Sequence, residues 1–348
     1  MARISSIFTV LVATLSVTRC NATYTLKNNY QGKTFFDTFS FFTASDPTNG
    51  FVDYVDRTTA LNKGYIGLSN HSLANDSIYI GVDHTSSASN AGRQSVRITS
   101  NATWTHALLA IDIYHMPTGC GLWPALWLVA PEGIYPGTTG EIDIIEGVHN
   151  LTANAMTLHT SDGCAVSNST GASFQGTLNT ANCFVDAPHQ SQNSGCSIAA
   201  AQVEIGGGAT ATTAPAAGEA FNAQHGGVYA LLWTSEVVEV YFFPRTSVPP
   251  ALSAAANAAG APDPSAWPAM GYRPLAQFRG CDFDAHLRDL ALVVDTDFCG
   301  GWAGGTWNSS GCAKTTGVGS CESFVKANPG AFGEAYWLLG GVRVWQDE

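Results

Sequence analysis

Gly140-Glu141-Ile142-Asp143-Ile144-Ile145-Glu146-Gly147-Val148 is the stretch from which the rest of the chain is read. Charged residues are 12% of the 348, yet three carboxylates fall here within six positions, separated by isoleucines. Side chains alternate along a β-strand, so Glu141 and Asp143 share a face while Ile142 and Ile144 enter the core behind them. Glu146 breaks the parity, because on a regular strand it would point into that core. An acid followed by glycine at such a place predicts a β-bulge between Asp143 and Glu146, which re-aims the side chain. With the bulge, all three carboxylates line one concave surface.

Glu141 and Glu146 are then expected to lie roughly 5–6 Å apart, a separation that suits one carboxylate as nucleophile and the other as acid/base in a retaining glycosidase. Alternating acid and isoleucine most often marks a solvated strand face. The parity break, the flanking Gly140 and Gly147 and the neighbouring aromatics argue against that reading. Together with Trp123-Pro-Ala-Leu-Trp127 before it and Asn154-Ala-Met-Thr-Leu-His159-Thr after it, the acidic hexapeptide resembles glycoside hydrolase family 16, in particular fungal laminarinase-type endo-1,3(4)-β-glucanases. The resemblance extends to Ala22-Thr-Tyr24, Gly92-Arg-Gln-Ser-Val-Arg97, Tyr241-Phe-Phe-Pro-Arg245 and Phe298-Cys-Gly-Gly-Trp302-Ala-Gly, and so covers essentially the whole mature chain.

That resemblance implies an all-β fold: a β-jelly-roll sandwich of two curved antiparallel sheets with a substrate cleft on the concave face. It implies a secreted, endo-acting retaining hydrolase of β-1,3-glucan, extending to mixed β-1,3/1,4 chains. Glu141 would be the nucleophile, Glu146 the acid/base, and Asp143 the residue that tunes their shared proton. Trp127, Tyr135 and Trp302 would stack on sugar rings, with Trp123 beside them, because sugars present apolar C–H faces to flat side chains. His159 would lie next to the carboxylates and Arg97 would bind a sugar hydroxyl. At Tyr135 the relatives carry Trp, and this chain has one extra residue in that loop. Two further readings use the same fold. One is a cell-wall transglycosidase working through the same glycosyl-enzyme; the other is a glucan-binding lectin, which is expected to lack the acids retained here.

Residues 1–22 read as a secretory signal, with Arg3 as the positive region, Ile7 to Val17 as the apolar core and Cys20-Asn21-Ala22 as the exit. The apolar run is short for a membrane span, and no hydrophobic tail follows Trp345 to suggest a lipid anchor. Residues 23–348 form the expected single catalytic domain. Removing the signal takes Cys20 from the nine cysteines, leaving an even set: Cys120, Cys164, Cys183, Cys196, Cys281, Cys299, Cys312 and Cys321. No pair has the C-x₂-C spacing of a metal site, so disulfides in an oxidising compartment are expected. Beyond the signal segment, six N-x-S/T triplets, at Asn70, Asn75, Asn101, Asn150, Asn168 and Asn308, predict a glycosylated surface. The net charge of −12 comes without a Lys/Arg cluster, which argues against nucleic acid or an anionic membrane as partner and suits a neutral glucan. No metal or organic cofactor is required, and a monomer is expected. H-E-x-x-H and G-x-S-x-G are absent from the sequence, so zinc and serine hydrolase chemistry find no support.

Strands are expected at Ser95–Ile98, His106–His115, Gly140–Val148, Ala155–Thr160, Val228–Thr234, Val237–Phe243, Asp289–Asp295 and Trp337–Trp345, with Thr234-Ser235-Glu236 as a hairpin turn. Gly206–Ala220 and Val248–Pro264 read as surface insertions that bury little core. Trp104, Trp233, Trp267, Trp307, Trp337 and Trp345 are assigned to packing.

Overall fold

The computed structural model describes residues 24–71, 74–131, 135–137, 139–167, 174–206, 211–253 and 261–347. The signal segment, Asn168 and much of the second insertion lie outside the described residues. Two eight-stranded antiparallel sheets dominate. In spatial order the first holds β18 (Ala276–Phe278), β17 (Val238–Pro244), β16 (Gly227–Trp233), β8 (Ala107–His115), β20 (Trp337–Asp347), β5 (Ala74–Ile80) and β4 (Ile66–His71), with β1 (Tyr24–Tyr30) also paired to β20. The second holds β12 (Thr177–Thr180), β13 (Cys196–Ala200), β11 (Asn154–His159), β10 (Glu141–Glu146), β9 (Leu122–Val129), β19 (Leu290–Phe298), β7 (Arg97–Trp104) and β2 (Phe39–Phe41). Two small ribbons pair β3 (Val52–Tyr54) with β6 (Arg93–Ser95) and β14 (Gln202–Ile205) with β15 (Thr212–Pro215). The architecture is a jelly-roll sandwich. Among the described residues, no helix is long and apolar enough to cross a membrane.

The main core lies between the sheets. Alternate positions along the strands supply it: Leu109, Ile111 and Ile113 from β8, Leu126 and Leu128 from β9, and Leu292 and Val294 from β19 are all fully buried in one cluster. Burying such side chains contributes about 1.5–3 kcal/mol each, which outweighs the modest preference of any one strand for its conformation. The six tryptophans assigned to packing are all buried. The turn after β16 closes as expected, with Thr234 N–H donating to Val237 O at 2.9 Å.

Three expectations are corrected. The run Ser95–Ile98 is divided at Val96: Ser95 ends a parallel ribbon with β3, and Arg97 begins β7 in the large sheet. Trp123 to Trp127 precede the acidic strand as expected, but they lie within a strand absent from the expected set, β9, between β10 and β19. Proline is disfavoured in a central strand because it donates no ladder bond; Pro124 is accommodated because the β10 pairing ends one residue earlier, at Ala125. The first insertion is not merely superficial. Ala214, Ala216 and Ala217 are buried in the main core, and Phe221, which follows them, is fully buried. Small side chains there let the backbone approach the sheet. In the second insertion, Leu252 is likewise buried, against the outer side of the first sheet.

All eight cysteines among the described residues pair: Cys120–Cys312, Cys164–Cys281, Cys183–Cys196 and Cys299–Cys321. Cys120–Cys312 and Cys299–Cys321 both fasten the segment that follows β19, the segment that carries Trp302. Of the six sequon asparagines, the five that are described are exposed.

Candidate active site

The predicted bulge is present. Asp143 pairs with Trp127 of β9, Ile145 with Leu126 and Glu146 with Ala125, so the register passes over Ile144. Ile142, Ile144 and Ile145 are all fully buried in the core cluster. Two consecutive isoleucines pointing inward are what returns Glu146 to the same face as Glu141 and Asp143. That face is turned away from the sandwich core.

A residue not anticipated from sequence completes the bulge. The β10–β11 ladder stops at Asp143–Thr157, which leaves the Ile144 carbonyl and the Glu146 N–H without strand partners on that side. Asn154, fully buried, serves both: its Nδ2 donates to Ile144 O at 2.8 Å and its Oδ1 accepts from Glu146 N at 2.9 Å. Its only sequence signal was a polar amide opening a strand of apolar residues. Asn154→Ala leaves both backbone groups buried and unpaired, at about 1–3 kcal/mol each. Chemical denaturation should show a loss of about 2–4 kcal/mol, and kcat should fall by roughly tenfold or more as Glu146 is misplaced. An Asn154→Ala enzyme with unchanged kcat would show that the bulge holds itself.

Around the three acids the expected side chains assemble. His159, directly opposite Glu141 in the ladder, sets Nε2 3.2 Å from Asp143 Oδ2 and 3.8 Å from Glu141 Oε1. Tyr135 is 45% exposed and its hydroxyl lies 3.4 Å from Glu141 Oε1 and 2.9 Å from Asn193 Oδ1. Trp123 Nε1 donates to Glu146 Oε1 at 2.8 Å, and the Trp302 ring meets the Trp123 ring edge-on at 5.8 Å. Trp302 is held from behind: its carbonyl accepts from Thr306 Oγ1 at 2.7 Å, and Thr306 contacts His149 Nε2 at 3.1 Å. The Arg97 guanidinium stacks between Phe42 and Trp127, 4.6 and 4.9 Å from their ring centres. Every candidate named from the sequence therefore lies on or beside one face. Asn154, Asn193 and Asp295, whose Oδ2 accepts from Trp127 Nε1 at 3.3 Å, were missed.

Electrostatics follow from burial. Glu141 and Asp143 are 9% and 3% exposed. Burial, then the charge of Asp143, pushes Glu146 up to about 8 against the opposing hydrogen bond from Trp123. Burial, then Asp295, pushes Asp143 up to about 8. Glu141 is raised well above the usual carboxylate range by burial and Asp143, with His159 opposing. Like-charged acids this close cannot all ionise, so the set titrates jointly. Raised this far, Asp143 and Glu146 both favour the protonated form at neutral pH. Glu141, Asp143 and His159 also offer ligand atoms within 4.8 Å of one another, near enough to hold a cation. The contacts of His159 with both acids account for the cluster equally well.

A sandwich whose open sheet face carries a row of buried acids flanked by indoles defines a glycoside-hydrolase-type β domain. The chain belongs to glycoside hydrolase family 16: the model for the XgeA-like catalytic domain of that family matches residues 39–345. It is 37% identical over 330 residues to an endo-1,3(4)-β-glucanase of Arthroderma benhamiae, covering 94% of this chain and 65% of that protein, so the relative extends well beyond the matched part. Laminarinase 16A from Phanerochaete chrysosporium, solved with 6-O-glucosyl-laminaritriose in donor and acceptor sites, superposes with a TM-score of 0.77 at 37% identity. It covers 93% of this chain and 100% of its own. An elongating family 16 β-1,3-glucosyltransferase matches with the same score, identity and coverage.

Proposed function

We propose that residues 23–348 form one secreted catalytic domain, an endo-acting retaining β-glucanase that hydrolyses β-1,3-glucan and mixed β-1,3/1,4-glucan. The observation that carries this reading is the bulge that sets Glu141, Asp143 and Glu146 on one face, with separate donors on Glu141 and Glu146. Glu141, beneath the Tyr135 hydroxyl and His159, attacks the anomeric carbon. Glu146, protonated and held by Trp123, gives its proton to the departing oxygen and then takes one from water. Asp143, between them on the same face, tunes the proton that the acids share. Trp127, Tyr135 and Trp302 offer the flat faces on which sugar rings rest. The names of the relatives, and the 6-O-glucosyl-laminaritriose bound in Laminarinase 16A, support the substrate class.

The test is product analysis on laminarin, mixed-linkage glucan and cellulose over a range of pH. Short oligosaccharides of retained configuration are expected from the first two and none from cellulose. Because Glu146 titrates near 8, its acid form persists through neutrality and activity should decline on the alkaline side of about 8. Stability runs in the same sense. The folded state keeps protons on Asp143 and Glu146 that the unfolded chain releases above about 4, so stability falls as pH rises from there to about 8.

A second reading rests on the elongating glucosyltransferase at 37% identity. There the same glycosyl-enzyme is resolved by a sugar, and products longer than the starting oligosaccharide would establish it. Product lengths separate the two.

A further inference from the structure

We propose that Asp295 is a positioning residue for this reaction: from β19 it holds the Trp127 indole and the Arg97 guanidinium in place on the face that carries the three acids. The proposal rests on the glucanase reading above and deepens it.

Asp295 follows Leu290-Ala-Leu-Val-Val294, a fully buried apolar run, and is itself 5% exposed. A carboxylate so placed is costly unless donors face it. Two do. Trp127 Nε1 donates to Oδ2 at 3.3 Å, and Arg97 Nε lies 4.0 Å from the same oxygen. The strand register brings these groups near one another: Asp295 is directly opposite Arg97 on one side and Ala125 on the other, Trp127 lies two residues from Ala125 on the same strand, and Ala125 is in turn opposite Glu146. Ala125, the residue between them in the sheet, has a small side chain. Behind the sheet, the Asp295 carbonyl accepts from Trp337 Nε1 at 2.9 Å, which fixes the strand against the core. The Phe42–Arg97–Trp127 stack thus has Asp295 at its edge as the anion that sets its rotation. Arg97 Nε is buried without a hydrogen-bond acceptor, so loss of Asp295 would strand its charge.

The charge acts beyond the stack. The charged and titratable groups facing Asp295 are Arg97 from β7, Asp46 from the loop after β2, Asp143 and Glu146 from β10, Tyr54 from β3, and Asp297 on its own strand. After burial, Asp295 is the principal influence raising Asp143, and it adds weakly to Glu146. Removing its charge lowers both, so Glu146 should surrender its proton at lower pH.

The experiment compares wild type, Asp295→Asn and Asp295→Ala for laminarin kinetics against pH, and for the indole N–H resonances of ¹⁵N-tryptophan-labelled protein, with Trp127 assigned through Trp127→Phe. Asp295→Asn still accepts from the indole; KM should stay within about twofold while the alkaline limb of kcat/KM moves down by about half a unit. Asp295→Ala, which has no acceptor, should raise KM about tenfold. Should the Ala variant fail to fold, the Asn variant and the Trp127 resonance still decide. A purely structural Asp295 would lower the melting temperature in both variants and move neither KM nor the alkaline limb, which overturns the proposal. A wild-type protein inactive on laminarin would count against the glucanase reading instead. The Trp127 signal then stands alone: a pH titration lost in Asp295→Asn supports the link, and identical titrations overturn it.

Discussion

Glu141→Ala is expected to lower kcat on laminarin by on the order of 10⁴-fold or more, because no neighbouring group can replace a missing nucleophile. The fold should survive. Glu141 is paired on both sides, to Val129 and His159, through its backbone, and Ala keeps those ladder positions. Removing a buried carboxyl also relieves repulsion with Asp143, which lies in the same cluster. Far-UV circular dichroism and glucan binding should therefore match wild type. Added azide is small enough to enter the vacated space, and with an activated donor it should restore turnover by a single displacement. The product would be the α-glycosyl azide, of inverted configuration. A Glu141→Ala enzyme that stays active without azide would remove Glu141 from the mechanism.

Glu146→Ala should behave differently. On laminarin, whose leaving group is a poorly acidic sugar alcohol, loss of the proton donor should cost about 10²- to 10⁴-fold. An aryl glucoside with an acidic phenol as leaving group needs little protonation, so its first step should be nearly unaffected and the glycosyl-enzyme should accumulate as a burst. Azide should then attack that intermediate and yield the β-glycosyl azide, since two displacements retain configuration. The same anomer from both variants would contradict the assignment of roles. Trp123 adds a check, because its N–H bond to Glu146 Oε1 is lost in this variant and its ring is free to shift against Trp302.

Much of the site could be read locally. The parity of Glu141, Asp143 and Glu146 demanded a bulge, since a charged carboxylate facing the core is far costlier than one irregular backbone position. The isoleucines between them told which side was the core, and the structure buries all three. What could not be read was who closes the bulge. Asn154 lies after a turn of unspecified path, and nothing in its own neighbourhood assigns its amide to Ile144 and Glu146. Pro124 concealed β9 for a related reason: its tolerance depends on where the neighbouring strand stops.

From the sequence alone came the all-β class, the family resemblance, the acids and aromatics of the site and an even set of cysteines, because these depend on residue type and short-range period. Tertiary structure alone decided which cysteines pair, that Ala214, Ala216 and Ala217 serve the core, and that Asp295 meets Trp127 from 168 residues away. Those contacts join segments far apart in the chain, and which of them meet is set by how the two sheets and their connections pack as a whole. No window of neighbouring residues contains that information.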